Sequence, residues 1–591
     1  MSVRNGSVGR RASILALALL ADCSSGGGGG SRCTADGTPC GSGQVCSTGA
    51  CVAACVAGQS CSPASADPCK SYATTCNALL TQTSCAVAGD VADRTSCGTG
   101  LVCVAGQCGP ALRTVSGTFQ TTYWPDDGTK TTLSTPPPDG RTAKAILVPD
   151  ASATGYTTLP ITLNANQGFS VPDVPAGPYF LQLDQRIYPL CSSCPGASPE
   201  AVSTELIELR ANSPDLTVVT GARVDLAASN SPYLRLDVGG LAPWTSNSSV
   251  RTASSQALQY GRLSPSPTPA AGATSAGGTW IKFNSGLPDA SKGDVVFVYQ
   301  RSAAPVGSGA TAATASAATR YARLTNLTLS TSSPGASVTL TDSAPQTGTI
   351  HADVRYAQFA ALAASVHPSA VPGATGAGVS VQAVPHSIQY PDMSFGFEQT
   401  SLFVVESYPA PTADVDYGTL HFGEFLDAQW KTFRYAGYAF GVDVPGGDTT
   451  AGPPQITSMV PMTPDPGPIA PSLGPATQPR IEGRDAFAMQ TGVGLQPTIT
   501  WSPPALGRAT SYQVTISRRT EPVIAGETRT LSALIYSGRT FKVPRGFLQQ
   551  GSYYSASITA RSGPWDVFER APFRKGTPFH TADCYTGYFT T

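Results

Sequence analysis

Sixteen cysteines and five histidines are the residues of this 591-residue chain best suited to chemistry. The histidines, His351, His367, His386, His421 and His580, are scattered. None lies at the His-x-x-x-His spacing that turns two imidazoles toward one zinc ion, and none belongs to a Cys/His ligand cluster. There is no Gly-x-Ser-x-Gly turn to present a nucleophilic serine, and no glycine-rich phosphate loop ending in lysine. Asp414-Val415-Asp416-Tyr417-Gly418, with Glu424 beyond, has carboxylates but lacks the ligand and glycine positions of an EF-hand, so it reads as a surface turn. Asp126-Asp127-Gly128 reads as a turn for the same reason. The sequence therefore predicts no catalytic residue, no metal ligand and no cofactor.

The cysteines are concentrated. Twelve of them, Cys33, Cys40, Cys46, Cys51, Cys55, Cys61, Cys69, Cys76, Cys85, Cys97, Cys103 and Cys108, lie within residues 32–109. Residues 36–51 and 93–108 form an internal repeat offset by 57 residues, keeping Asp, Thr, Cys, Gly, Gly, Val, Cys, Gly and Cys in register. Within each copy five and then four residues separate the cysteines, and residues 32–109 hold no histidine, so zinc knuckles are disfavoured. So many cysteines in so little apolar sequence read as structural disulfides, up to six bridges whose pairing the sequence leaves open. Cys191-Ser192-Ser193-Cys194 sits between prolines in a strand-rich stretch, a setting for a loop disulfide rather than for a redox Cys-x-x-Cys at a helix start. Cys584 has no evident partner in sequence. It could remain free, pair with Cys23, or join another chain.

Residues 1–22 carry Arg4, Arg10 and Arg11, then a short apolar core over Ser13–Leu20, the anatomy of an export signal rather than of a membrane span. Cys23 follows, then Ser24-Ser25 and five glycines, a flexible tether over 23–31. Leu20, Ala21 and Cys23 resemble the lipobox of bacterial lipoproteins, with Asp22 departing from the small residue usual before the cysteine. The resemblance implies a lipid on Cys23, a membrane partner through that lipid, and a place in the cell envelope, the outer membrane favoured by Ser24. The repeat module is similar to small cysteine-rich modules of envelope and secreted proteins of Gram-negative bacteria, where they act as stalks or spacers.

Composition narrows the classes further. Charged residues are 13% of the chain, against about 25% in an average soluble protein. Glycine and proline number 61 and 50, which suits many short strands joined by turns. A net charge of −1 with no basic cluster gives no footprint for nucleic acid. The expected fold class is all-β and multidomain, with β-sandwich modules preceded by the small disulfide-rich module.

Residues 112–190 alternate apolar and polar side chains, as in Tyr179, Leu181 and Leu183 after the turn Pro175-Ala176-Gly177-Pro178. They resemble a carboxypeptidase regulatory-like, transthyretin-like sandwich. Residues 216–445 read as β-rich, one or two domains of a fold the sequence does not fix. Their clearest strands are 233–238, 294–299, 337–341 and 402–405, with a low-complexity loop over 303–318 and one short helix over 355–365. Residues 446–477 read as a Pro-rich linker. Residues 478–575, with Trp501 in one strand and Tyr554 two positions before the alternating Ala556-Ile558-Ala560, resemble a fibronectin type III domain, Tyr554 matching its tyrosine corner.

These features point to a non-catalytic surface protein that displays β-sandwiches for adhesion or protein–protein binding, its protein or glycan ligand unspecified. A carbohydrate-binding accessory role follows only from the transthyretin-like resemblance and would show as exposed coplanar aromatics. An enzyme with its site in 216–445 would show as convergent polar side chains in a pocket.

Overall fold

The computed structural model describes residues 39–591 apart from internal stretches, the longest being 124–130, 134–141, 188–200, 386–400, 444–452, 520–526 and 564–570. Residues 1–31, Cys33, Cys191, Cys194 and the turn at 126–128 thus lie outside the described residues. The chain divides into two units, residues 1–111 and residues 112–591. Strand dominates both, as the turn-rich composition predicts, and the helices are few and short. The all-β class and the disulfide-rich N-terminal module are therefore as expected.

In the first unit the sequence repeat is a structural repeat. Pro39–Gly41, Gln44–Ser47 and Ala50–Ala53 make a three-stranded antiparallel meander, and Ser96–Gly98, Leu101–Val104 and Gln107–Pro110 make another. Cys46 faces Cys51 in one and Cys103 faces Cys108 in the other, each after a bulge in the first strand. Between them lies a hairpin of Lys70–Cys76 and Thr83–Asp90. The buried centre is sulfur: Cys46, Cys69 and Cys103 are fully buried. Bridges replace the apolar core that so short a segment cannot supply.

The second unit is organised by one continuous ribbon of hydrogen-bonded strands. From the edge strand Tyr156–Pro160 it runs through Thr142–Pro149, Tyr179–Ile187 and Ala201–Leu209, then crosses to the C-terminal strands Glu527–Ile535, Ser511–Arg519, Tyr553–Ser562 and Phe579–Tyr585. It returns through Gln455–Pro461, Trp430–Ala439, Ala377–Pro385 and Ser401–Ser407 to the middle of the chain. It then continues through Ala313–Leu324, Val296–Val306 and Ser249–Ser254, and on to Gly335–Thr339. Smaller sheets cover its faces. Gly168–Pro175 pairs with Leu112–Thr118 to close the first apolar layer, where Val115, Phe169, Tyr179, Leu181 and Leu183 meet.

Three segments differ from expectation, each for a packing reason. The described part of 446–477 does not run as a linker: Gln455–Pro461 is paired on both sides, and Ile469, Leu473 and Ala476 are buried. Its prolines flank the paired stretch, while Ile456 and Met459 supply apolar contacts on opposite faces. The stretch 303–318 is a hairpin rather than a loop, with Val306 facing Ala313. Small Ala and Ser side chains let Ala315, Ala317 and Ala318 bury against the core. The expected single helix over 355–365 is two turns, Tyr356–Ala360 and Ala363–Val366, held by buried Tyr356, Phe359 and Val366. Its C-terminal cap is His367 in extended conformation ahead of Pro368, as the proline dictates.

Candidate functional site

The cysteines of the module meet in Cys55–Cys76, Cys61–Cys85, Cys69–Cys103 and Cys97–Cys108. Cys46 and Cys51 are also in disulfides, and Cys40 lies on the strand Pro39–Gly41. Sulfurs of Cys69, Cys97 and Cys103 come within 4.8 Å of one another. This is two bridges stacked side by side, and a bridged sulfur is not the thiolate a metal requires. Cys584 is a free, fully buried thiol on the strand Phe579–Tyr585, and burial, with the neighbouring Asp583 carboxyl, pushes its ionisation far up.

The buried polar groups of the second unit are spent on joining strands. Asp294 is 1% exposed and accepts from Ser254 Oγ at 2.8 Å, Ser255 Oγ at 3.4 Å and Gln256 N at 2.9 Å, so it ties the end of Ser249–Ser254 to the start of Val296–Val306. Burial raises its carboxyl above the usual range. Asp583 is held the same way by Thr559 Oγ1 at 2.7 Å and Gln455 N at 2.9 Å, and burial raises it as well. Arg434, 5% exposed, donates to the Gly467 carbonyl, and burial lowers its guanidinium to about 10. His580 is lowered by burial and by that nearby guanidinium. Asp583 and His580 share the strand Phe579–Tyr585, Arg434 lies on Trp430–Ala439 and Asp294 just ahead of Val296–Val306, and each carboxylate is spent on the hydrogen bonds given above.

One His–Ser pair has the distance of a base and a nucleophile, with a different role. His367 Nδ1 lies 2.7 Å from Ser369 Oγ, but that hydroxyl donates to the Asp443 carbonyl at 2.5 Å, and Ser369 N donates to Nδ1 at 3.1 Å. His367 is 4% exposed, lies edge-on to Phe487, and is lowered by burial. The pair closes the turn after the second helix. Beyond Phe487 is an open cleft of about 380 Å³ lined by Ser365, Gln478, Arg480 and Asp485. Arg480 donates to the Gly483 carbonyl and Asp485 accepts from Phe487 N, so both are engaged in their own loops.

Asp414 and Asp416, read from sequence as a turn, serve the backbone. Asp414 accepts Ala357 N at 3.0 Å and pairs with Arg355 at 3.4 Å, and Asp416 accepts Gly418 N at 2.8 Å. Gly418 takes φ +77°, the conformation that turn requires. Asp416 also lies 3.8 Å from His351 Nε2. His351 and His421 stand on neighbouring strands, Gly348–Val354 and Val415–Phe422, a juxtaposition hidden in sequence by seventy residues of separation.

Trp501 is buried edge-on to Tyr512, and the hydroxyl of buried Tyr554 accepts Gln549 N at 2.8 Å, so both act in packing. Among the described residues Tyr408 is the one aromatic side chain that is largely exposed, at 84%. The stacked aromatic platform of a glycan site is not assembled there. No helix among the described residues is long and apolar enough to cross a membrane.

No protein-family model matches the chain, and no curated protein matches it. Some solved structures show a weak likeness. The FN1–FN3 domains of chicken CNTN1 align at 9% identity over 59% of this chain and 91% of that one, with a TM-score of 0.11. A tetra-tandem repeat from the extending region of a large adhesion protein aligns at 10% identity over 80% and 99%, with a TM-score of 0.10. A Salmonella alpha-2-macroglobulin mutant aligns at 8% identity over 88% of this chain and 38% of that one, with a TM-score of 0.13. Overlays at these TM-scores carry no functional information.

Proposed function

We propose that the chain is a non-catalytic protein of a bacterial cell surface, held to the outer membrane by a lipid on Cys23 and displaying its β-structure for adhesion or protein–protein binding. The observation that carries this reading is the fate of the buried polar groups. Asp294, Asp583, Glu208, Arg434 and His367 each contact the backbone or hydroxyls of the neighbouring strands and turns, and none is aimed with another into a shared cavity. Catalysis needs such convergence, whereas display needs a rigid scaffold. The stacked disulfides suit an oxidising compartment, and the glycine tether gives a lipid-anchored protein room to stand clear of the bilayer.

Mass spectrometry of the mature N-terminus tests the anchor, and an adhesion assay tests the role. A diacylglyceryl group is expected on Cys23, and Cys23→Ala should release the protein from the membrane fraction. A deletion strain should lose attachment to a surface or to neighbouring cells, with recovery by the native gene but not by the Cys23→Ala form. Unmodified Cys23 would overturn the anchor, and unchanged attachment in the deletion strain would overturn the role.

A further inference from the structure

We propose that the cleft between the helical turn Ala363–Val366 and the hairpin of Thr477–Ile481 and Arg484–Asp485 binds a neutral saccharide. One sugar ring would sit against Phe487, hydrogen-bonded by Ser365, Gln478, Arg480 and Asp485. The cleft holds about 380 Å³, inside the roughly 300–1,000 Å³ of small-ligand sites. The inference goes beyond the adhesive role: that role stands or falls on attachment of the deletion strain, this one on binding by the purified protein.

Local backbone geometry builds the sheet wall of the cleft. Ile481 faces Arg484 across the two-residue turn Glu482-Gly483, whose φ values of +50° and +74° are those of a tight hairpin turn. This sets Arg480 directly opposite Asp485. Ahead of them the register against Thr498–Ser502 slips between Thr477 and Arg480, so Gln478 and Pro479 form a bulge. Gln478 takes φ +50°, a left-handed conformation uncommon for a residue with a side chain, and such strain clusters at ligand sites. Half-buried Phe487 is fixed edge-on by the buried ring of His367, 5.2 Å away between centroids.

Opposite charges that face each other across two strands ordinarily pair, but these two do not. The Arg480 guanidinium donates to the Gly483 carbonyl at 2.8 Å, and Asp485 Oδ1 accepts Phe487 N at 3.1 Å. Neither side chain has another partner among the described residues, so each is held in place with hydrogen-bonding capacity to spare. Gln478 Oε1 accepts from Ser502 Oγ at 3.3 Å, which leaves its NH2 group, and Ser365 Oγ has no partner among the described residues. The four groups together offer donors and acceptors with no net charge. A hydroxyl both donates and accepts, so neighbouring sugar hydroxyls satisfy such a set. An anion is repelled by Asp485, a cation by Arg480, and an apolar ligand leaves all four groups desolvated without partners. A zwitterionic amino acid answers the two charges but not the amide and the hydroxyl. Phe487 and Pro479 supply the apolar wall for the C–H face of the ring. Groups held by their own loops before the ligand arrives lose little freedom on binding it.

The test uses the full exported chain with its disulfides intact. The probes are glucose, galactose, mannose, N-acetylglucosamine, maltose and lactose, with alanine and phenylalanine as zwitterions, read by saturation-transfer NMR and calorimetry. At least one sugar should bind saturably. Asp485→Asn keeps an acceptor for Phe487 N but turns the spare oxygen into a donor. It should weaken binding by about tenfold or more, the loss expected for a hydrogen bond to a charged group. Gln478→Gly should also weaken binding while leaving the melting temperature unchanged or raised, because glycine adopts φ +50° without strain. Asp342→Asn, on the exposed strand Asp342–Ser343, should leave binding unchanged. As a check that needs no variant, saturating sugar should slow amide exchange across residues 477–487 of the native protein. Absence of saturable binding to every sugar, binding untouched by both Asp485→Asn and Gln478→Gly, binding of the amino acids in place of the sugars, or unchanged exchange at 477–487 would overturn the proposal.

Discussion

Glu208 accepts the backbone N–H of Tyr536 at 2.5 Å, although 328 residues separate them. The bond sits where Ala201–Leu209 runs parallel to Glu527–Ile535, with Thr204 opposite Leu531 and Ile207 opposite Leu534. Tyr156 Oη donates to the Lys542 carbonyl at 2.8 Å nearby, and Phe180 meets Phe541 edge-on. The strands Thr142–Pro149, Tyr156–Pro160, Tyr179–Ile187 and Ala201–Leu209 and the C-terminal strands therefore share one sheet and one packed seam.

Glu208 is 4% exposed, so removing its carboxylate leaves a buried donor without a partner. Glu208→Ala should destabilise the protein by about 1.5–3 kcal/mol, the range for hydrogen bonds to charged groups. Glu208→Gln, which keeps an acceptor, should lose less. Urea denaturation followed by tryptophan fluorescence measures both. Equal, negligible losses would mean the seam does not form.

Tyr554→Phe removes one hydrogen bond and little volume. A loss of about 0.5–1.5 kcal/mol is expected. Exchange of the Gln549 amide should speed up, while amides in the centre of the strand Tyr553–Ser562 should keep their protection. Hydrogen exchange read by mass spectrometry separates the two regions.

Asp583 and Asp294 are raised above their ordinary value of 3.8 by burial. A raised carboxyl favours the folded state while protonated, so that contribution is full below the unfolded value and is lost as pH rises through the folded one. Asp583→Asn removes this dependence. Its stability relative to the native protein should improve on going from pH 3.5 to pH 7, measured by urea midpoints at both values. A relative stability that falls with pH would refute the assignment.

Cys584 is buried and its thiol is held protonated. Iodoacetamide should leave it unmodified in the native protein and alkylate it fully in denaturant, as read from the peptide that contains it. Rapid native labelling would show that the strand Phe579–Tyr585 opens readily.

Gly348 faces the ring of buried Phe422, and a Cβ there would lie 2.3 Å from Phe422 Cε2. Gly348→Ala should cost about 1–3 kcal/mol through overpacking, measured by thermal melting.

Much of the local structure was legible in the sequence because it is written in short-range pattern. Period-two alternation located Tyr179, Leu181 and Leu183 on one buried face, and all three are fully buried. The strands expected at 233–238 and 402–405 are Tyr233–Gly239 and Ser401–Ser407. The repeat of Cys, Gly and Val at fixed spacing produced two meanders of the same register, since pairing between strands this close in sequence depends only on neighbouring residues.

Partners distant in sequence were decided by tertiary structure alone. Alternation says that a strand has a buried face but not which strand lies beside it, because backbone hydrogen bonds carry no side-chain identity. Hence the meeting of Glu208 with Tyr536, and of His351 with Asp416 and the strand of His421, left no mark on the sequence. The same holds for 446–477, where proline content suggested a linker while two unpaired strand edges claimed Gln455–Pro461. Composition and spacing determined that this chain would be an all-β protein stapled by disulfides at its start. The closing of the ribbon decided which polar side chains would be consumed as locks and which would be left facing out.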